Sequence, residues 1–538
     1  MGFIALLKAE GLRITQRRLL VMLIISGMCS TGVLAAVNKA AKEIANGKSA
    51  LLIFAIFLIL VLSNIVSTRY VTRVTTREVE QVVHRLRTRL IGKLRDAQLN
   101  KLEKMGTGAL YAAIGKDTQT LSQLSSVLTS AVQAMVMIFF GAVYLAFLSP
   151  MALAAAALFV VATSAVYSMK SRAMNSFLME SGRLENRLYD RVSDFIDGFK
   201  ETRMHRARSD DLFQQFSEES NVAAQARIVA LTEVGSIMIF TQTALFLLVG
   251  TMVFVVPALS PKFASSVVQT STAVLFLFGS LSSVVGAIPA MASADTAARN
   301  LADVEAALNQ EGAAEIHPDP NVLPSFELLE MQRIAYSHHD ASGRTMFTLG
   351  PLSFHLQRGE MVFVTGGNGA GKTTFIKILT GLYYPDAGMV MVNGVQVEVE
   401  GRQLYRELFA VVFNDPHLFD RLHGLGEAAR ARAPALLERL ELTGKLSIKD
   451  GVFSTIDLST GQRKRLALLV ALLEDKPILI LDEWAADQDP IFRKKFYREL
   501  LPEIIANGKT IVAITHDDAY FDAAHRRMKL DYGNISES

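Results

Sequence analysis

The chain is poor in cysteine, and it carries no charge where its long apolar runs lie. A single cysteine in 538 residues, Cys29, excludes an intrachain disulfide. It lies in an apolar run, where a thiol packs as a small hydrophobic group. The net charge of +3 is too small to mark a nucleic-acid binder. Lys, Arg, Asp and Glu are absent from six apolar stretches, near 19–37, 50–68, 127–148, 151–169, 235–256 and 266–288. That absence argues against a proton relay or a buried ion pair inside them.

What is present divides the chain. Half the residues are hydrophobic, and the mean hydropathy of +0.29 is high for a soluble protein. The excess sits in the first 290 residues, ahead of a segment of ordinary soluble composition. A chain of this length is too long for one core. Each apolar stretch approaches or exceeds the ~20 residues that cross a ~30 Å hydrocarbon layer. Leu34-Ala-Ala36 faintly resembles a signal-peptide cleavage site, but five further spans and the charged start (Lys8, Arg13, Arg17, Arg18) argue against that reading. Residues 2–17 read as an amphipathic helix on the membrane surface.

The connections alternate in length. Those at 38–49, 149–150 and 257–265 are short, and their only basic residues are Lys39, Lys42, Lys48 and Lys262. Those at 69–126 and 170–234 are long and rich in Lys and Arg. The positive-inside rule therefore places both long segments, and both termini, in the cytoplasm. Val79, Val82, Val83, Leu86, Leu90 and Leu94 recur at helical spacing among charges, so the long segments read as helices extending the spans. Short crossing elements are expected near Leu99–Met105 and Phe195–His205. Within the spans, Asn64, Gln133, Tyr144 and Gln269 suit interhelical hydrogen bonds better than a cavity lining. Gly141, Gly250, Gly279 and Gly286 suit close helix approach or bending.

Prolines 318, 320 and 324 mark residues 306–324 as a linker. Beyond it, strand-like and helical runs alternate, as in an α/β domain with a largely parallel sheet. Two domains follow: membrane spans over 1–305 and an α/β domain over 325–538.

The second domain opens with a buried strand, Glu360–Thr365, followed by Gly366, Gly367, Asn368, Gly369, Ala370, Gly371, Lys372, Thr373 and Thr374. Glycines let this loop point its N–H groups at phosphate oxygens, and the helix opening at Lys372 adds its positive end. Lys372 reaches the β/γ-phosphates, and the Thr373 hydroxyl is placed to ligate Mg²⁺. Further on, Ile478–Glu483 is a continuous apolar strand ending in two carboxylates. Ligands bind at the carboxyl ends of such strands. Asp482 suits the metal, commonly through water, and Glu483 suits a general base for an attacking water.

At this point the chain resembles the ABC family. Leu458-Ser459-Thr460-Gly461-Gln462 resembles its signature sequence, and Ile511–His516 its last strand, with His516 as the switch histidine. Asp489 falls at the D-loop position. Tyr336 fits the aromatic residue that stacks on adenine, with a core tyrosine as the alternative. The membrane half resembles the family's six-span exporter type, whose coupling helices map to the two crossing elements. The resemblance implies ATP and Mg²⁺ as ligands and a homodimer. In it, Ser459, Gly461 and Gln462 of one subunit complete the site built on the phosphate loop of the other.

Two departures narrow the group. Asn414 stands where the family usually has glutamine, and it is shorter by one methylene. It either binds the metal through a water or belongs to a loop that mainly transmits movement. Ala486 and Asp487 replace a small pair in the D-loop. That segment, with Phe492-Arg493, Phe496-Tyr497 and His417–Leu422, resembles exporters of cyclic and siderophore-type peptides in Gram-negative bacteria. The resemblance implies export of a peptide-like cargo across the bacterial inner membrane. Lipid or drug export, import on the same scaffold, and nucleotide sensing without transport are the alternatives.

Overall fold

The computed structural model of the chain describes residues 5–6, 17–259, 267–309, 326–340 and 343–536. Two compact units result, Met1–Gly92 with Gly108–Ala306, and Lys93–Thr107 with Ala307–Ser538. Most of the surface helix expected at 2–17, and most of the linker, lie outside the described residues.

The first unit is built of helices joined by short turns, with no strand among its described residues. Arg17–Ala45, Leu51–Arg95, Ala112–Leu148, Arg206–Val255 and Val267–Leu308 are each long and apolar enough to cross a membrane. The fourth stretch opens the 48-residue helix Pro150–Asp197, as the shorter apolar segment Pro150–Val166. Six expected spans thus fall on six helices. A helix of 48 residues is about 70 Å long, far more than a bilayer core needs. The polar segments are accordingly helical extensions and not loops. Val79, Val82, Val83, Leu86 and Leu90 form their buried face, each 1% exposed.

Turns between helices are set locally. Ser149 Oγ accepts from the Ala152 N–H at 3.3 Å and Pro150 starts the helix, which makes the turn between the third and fourth stretches tight. The crossing elements are the short helices Leu99–Met105 and Phe199–Met204. Gly106, at φ +77°, ends the first of them in a conformation that favours glycine.

Asn64 and Tyr144 make the interhelical hydrogen bonds expected of them, whereas Gln133 Nε2 is buried without a partner among the described residues. Asn64 Oδ1 accepts from Ser26 at 3.0 Å and Ser30 at 3.2 Å, and Asn38 Nδ2 donates to Tyr144 at 3.2 Å. Gly141 permits close approach, since a Cβ there would lie 2.1 Å from Leu277 Cδ2. Gly250, Gly279 and Gly286 have no neighbour within 4 Å of an added Cβ, so close approach explains only the first of the four. Large apolar side chains such as Phe54, Leu62, Phe139 and Phe147 face outwards, which suits hydrocarbon as the solvent. An apolar cavity of about 350 Å³ opens among Ile138, Leu145, Leu153, Phe159, Leu245 and Phe278.

In the second unit, strands β1 (Leu328–His339), β2 (Thr345–Gln357), β4 (Ala387–Val392) and β5 (Val395–Gln396) form an antiparallel sheet in the order β2-β1-β4-β5. A six-stranded sheet uses β3 (Met361–Gly366), β6 (Phe409–Val412), β9 (Ile478–Asp482), β10 (Thr510–Ile514), β11 (Arg526–Asp531) and β12 (Asn534–Ser536). Its order is β12-β11-β3-β10-β9-β6, parallel except for β12. The pair β7 (Ile448–Lys449) and β8 (Val452–Phe453) is a small hairpin. Every residue of β9 and β10 is buried, which is why both read as unbroken apolar runs. Their carboxyl ends, with that of β3, set the site.

Candidate nucleotide site

The loop after β3 is held by glycine geometry. Gly366 has φ +150°, and a Cβ there would meet the Leu530 carbonyl oxygen at 2.3 Å. Gly371, at φ +98°, caps the helix Lys372–Leu379, with Phe347 and Leu349 side chains within 3 Å of an added Cβ. Only glycine fits either place. Gly367, Asn368, Gly369 and Ala370 form the turn between, where the Ala370 N–H donates to the Gly367 carbonyl at 3.2 Å. Thr373 is exposed at the helix start, and Thr374 follows it half-buried.

Lys372 is 6% exposed, and its Nζ donates to the carbonyls of Gly366 at 3.0 Å and Gly367 at 3.1 Å. The same ammonium lies 3.9 Å from Glu483 Oε1. His516, just past β10, places Nε2 3.3 Å from that oxygen. Neighbouring parallel strands explain the meeting: β10 lies between β3 and β9, so their ends converge. Glu483 has φ +48°, uncommon for a non-glycine residue, and its N–H donates to the Ile514 carbonyl at 3.2 Å.

Asp482 is 3% exposed, and burial, reinforced by the charge of Glu483, pushes its carboxyl up to about 6. Lys464 and Lys372 oppose that shift without cancelling it. A buried carboxyl on β9 and an exposed threonine hydroxyl at the start of the helix after β3 are oxygen donors of the kind that Mg²⁺ with a nucleotide phosphate takes.

The other expected residues are placed as follows. Ser459 and Gln462 start the helix Thr460–Glu474 with a reciprocal cap, the Ser459 N–H donating to Gln462 Oε1 at 3.2 Å. A Cβ at Gly461 would lie 2.7 Å from the Asp487 carbonyl, so this helix and the turn after Glu483 touch directly. Asp489 caps the helix Pro490–Lys495 through the Phe492 N–H at 2.9 Å and pairs with Arg465 at 2.7 Å. Asn414 turns its oxygen towards the Lys464 ammonium, 2.8 Å away, which is the oxygen expected to face the metal.

Tyr336 takes the core alternative. It is 6% exposed and stacked on Tyr383 with centroids 5.0 Å apart. Burial, then the charges of neighbouring acidic groups, raises its hydroxyl to about 12. His338 lies beside the helix that follows the phosphate loop, its Nε2 3.1 Å from Thr374 Oγ1. Tyr336 and His338, two residues apart with no register shift between them, share one face of β1, and their rings meet edge to face with centroids 5.1 Å apart. Burial and the Lys377 charge hold the His338 imidazole below its ordinary value.

Residues 19–202 match the ABC transporter transmembrane region, and residues 349–486 match the ABC transporter family. The ATP-binding protein SyrD of Pseudomonas syringae pv. syringae is 33% identical over 85% of this chain and 82% of its own. The chain belongs to the ABC transporter family. A second relative is the glutathione/L-cysteine transport system ATP-binding/permease protein CydD of Bacillus subtilis, 27% identical over 87% of this chain and 82% of its own. The fold is that of a bacterial Atm1-family ABC exporter solved with ATP bound, at TM-score 0.78 and 18% identity, covering 99% of this chain and 95% of that one. As an ABC transporter this multi-span membrane protein binds ATP with Mg²⁺ and couples ATP hydrolysis to transport.

Proposed function

We propose that this ABC transporter works as a homodimer that exports a peptide, cyclic or siderophore-like, across the bacterial inner membrane, with both termini in the cytoplasm. Residues 1–305 act as the transmembrane domain, 306–324 as the linker and 325–538 as the nucleotide-binding domain. The observation that carries the ATP-driven part is Glu483 Oε1, held between His516 Nε2 and Lys372 Nζ at the converging strand ends.

The chain's own groups divide the work. The loop 366–371 and Lys372 bind the phosphates of ATP; Thr373 and Asp482 would hold Mg²⁺, which supplies charge neutralisation at those oxygens. Glu483 orients the attacking water and accepts its proton. His516 donates to the γ-phosphate side and fixes the carboxylate. Ser459, Gly461 and Gln462 close the site on the partner's phosphate loop, and Asp489 stiffens the adjoining turn. His338, beside Thr374, flanks the base in place of Tyr336.

For the cargo, likeness to SyrD over most of both chains and the D-loop Trp484–Asp487 support the peptide reading. The largely apolar lining of the membrane cavity, broken only by Thr163 and Thr241, favours one alternative, a lipid or hydrophobic drug. ATPase turnover of the chain in lipid nanodiscs, with and without cyclic peptides, separates them. Peptide stimulation that Glu483→Gln removes supports the proposal; stimulation by added lipid alone, with peptide inert, replaces it with the lipid reading.

A further inference from the structure

A buried ammonium lies beneath the proposed base. Lys464 is 1% exposed, on the face of helix Thr460–Glu474 that also buries Leu468 and Ala471. Burying a lysine is costly unless its three N–H bonds find acceptors. All three do. Nζ lies 2.8 Å from Asn414 Oδ1, 2.9 Å from the Glu483 carbonyl oxygen and 2.6 Å from Asp487 Oδ2.

Those acceptors sit on three different segments: the loop after β6, the end of β9, and the turn Trp484–Asp487. A return bond closes the arrangement, as the Trp484 indole N–H donates to the Lys464 carbonyl at 2.7 Å. Glu483 occupies a left-handed backbone conformation that is unfavourable in a residue with a Cβ. Its N–H is tied to Ile514 and its carbonyl to Lys464, so both flanking peptide groups are pinned. Pinning them fixes where the carboxylate points.

We propose that Lys464 is a positioning residue for ATP hydrolysis. Its ammonium sets the orientation of Glu483 and makes that orientation follow the Asn414 loop and the helix begun by Ser459. The inference rests on Glu483 acting as the base. It also gives Asn414 a task that suits its length, an acceptor for Lys464.

The chain has one tryptophan, Trp484, adjacent to Glu483 and stacked on Phe496 at 4.3 Å. Its fluorescence therefore reports on this turn alone, with no nucleotide present. The full chain in nanodiscs is compared with Lys464→Met, Asp487→Asn, Asn414→Ala and Glu483→Gln. Lys464→Met is expected to raise acrylamide quenching of Trp484 and to lower kcat roughly 100-fold, the scale of a 1 Å misplacement. KM for ATP stays within about threefold, because the phosphate loop is untouched. Asp487→Asn, on the half-exposed side, keeps the fold and lowers kcat about tenfold by the same route. Asn414→Ala combined with Asp487→Asn gives less than the product of the two single losses.

Wild-type kcat and quenching in Asp487→Asn, or a Lys464→Met variant that loses ATP binding with kcat unchanged, would overturn the proposal. Glu483→Gln keeps the backbone carbonyl, so its quenching stays at the parent value. If that variant retained turnover, the base reading would fail, and the quenching data would still decide whether Lys464 orders the turn.

Discussion

His516 Nε2 lies 3.3 Å from Glu483 Oε1, across the ends of two adjacent parallel strands. The pairing puts an imidazole against the carboxylate best placed to take a proton from water. Removing the base while keeping its shape isolates the chemical step. Glu483→Gln is expected to lower turnover by roughly 10²–10⁴-fold and to leave ATP bound. Retained nucleotide after rapid desalting, beside steady-state hydrolysis, checks both halves. His516→Ala is expected to fall in the same range, with less than multiplicative loss in the double variant.

Glycine geometry in the phosphate loop makes a second prediction. Gly366→Ala drives a methyl group to 2.3 Å from a backbone oxygen, which no side-chain movement relieves. The variant should lose ATP binding and about 1–3 kcal/mol of stability. Gly367→Ala meets nothing within 4 Å and should melt with the parent. Thermal unfolding of the two variants, without nucleotide, makes the comparison.

The short helix Leu99–Met105 belongs to the second unit through Glu103, whose Oε1 accepts from Lys377 Nζ at 2.8 Å and which also bonds the Tyr383 hydroxyl. Burial pushes the Glu103 carboxyl up, but the hydrogen bonds from Lys377 and Tyr383 and the lysine charge outweigh it, leaving it below its ordinary value. A carboxyl lowered in the folded state stabilises above the unfolded value of 4.5 and loses that contribution as pH falls through the lowered one. Glu103→Gln should therefore melt earlier than the parent at neutral pH, by about 1 kcal/mol of stability. The gap should close as the solution is acidified below 4.5. A gap independent of pH would remove the charge from the explanation.

Much of the fold was legible because two periodicities dominate it. Uncharged runs fell on helices, and the apolar strand ending in Asp482-Glu483 became β9. The crossing element expected at Leu99–Met105 is a helix with those bounds. Three things were not legible. Tyr336 and His338 share one face of β1, and the stacking of Tyr383 on Tyr336, a tertiary contact invisible in composition, is what buries the first ring. Lys464 reads as a solvated helix residue, since three acceptors from distant segments are needed before burying it makes sense; its place on the Leu468 and Ala471 face was the available signal. The grouping of residues 93–107 with the second unit is a tertiary fact that local pattern cannot carry.

Sharing of sites between two copies is tested by mixing. Lys372→Ala removes the phosphate lysine, and Ser459→Arg blocks the signature. Each is expected to be inactive alone, while their mixture regains turnover through the one intact site of the mixed dimer. An inactive mixture that forms dimers would contradict sites completed in trans.

The central claim, ATP-driven outward movement of a peptide, is tested most directly by flux. Inside-out vesicles holding the purified chain would be given labelled cyclic peptide with ATP and Mg²⁺. The account predicts ATP-dependent accumulation inside, abolished by Glu483→Gln. Vigorous ATP hydrolysis without accumulation, or ATP-driven loss of preloaded peptide from the same vesicles, would contradict it.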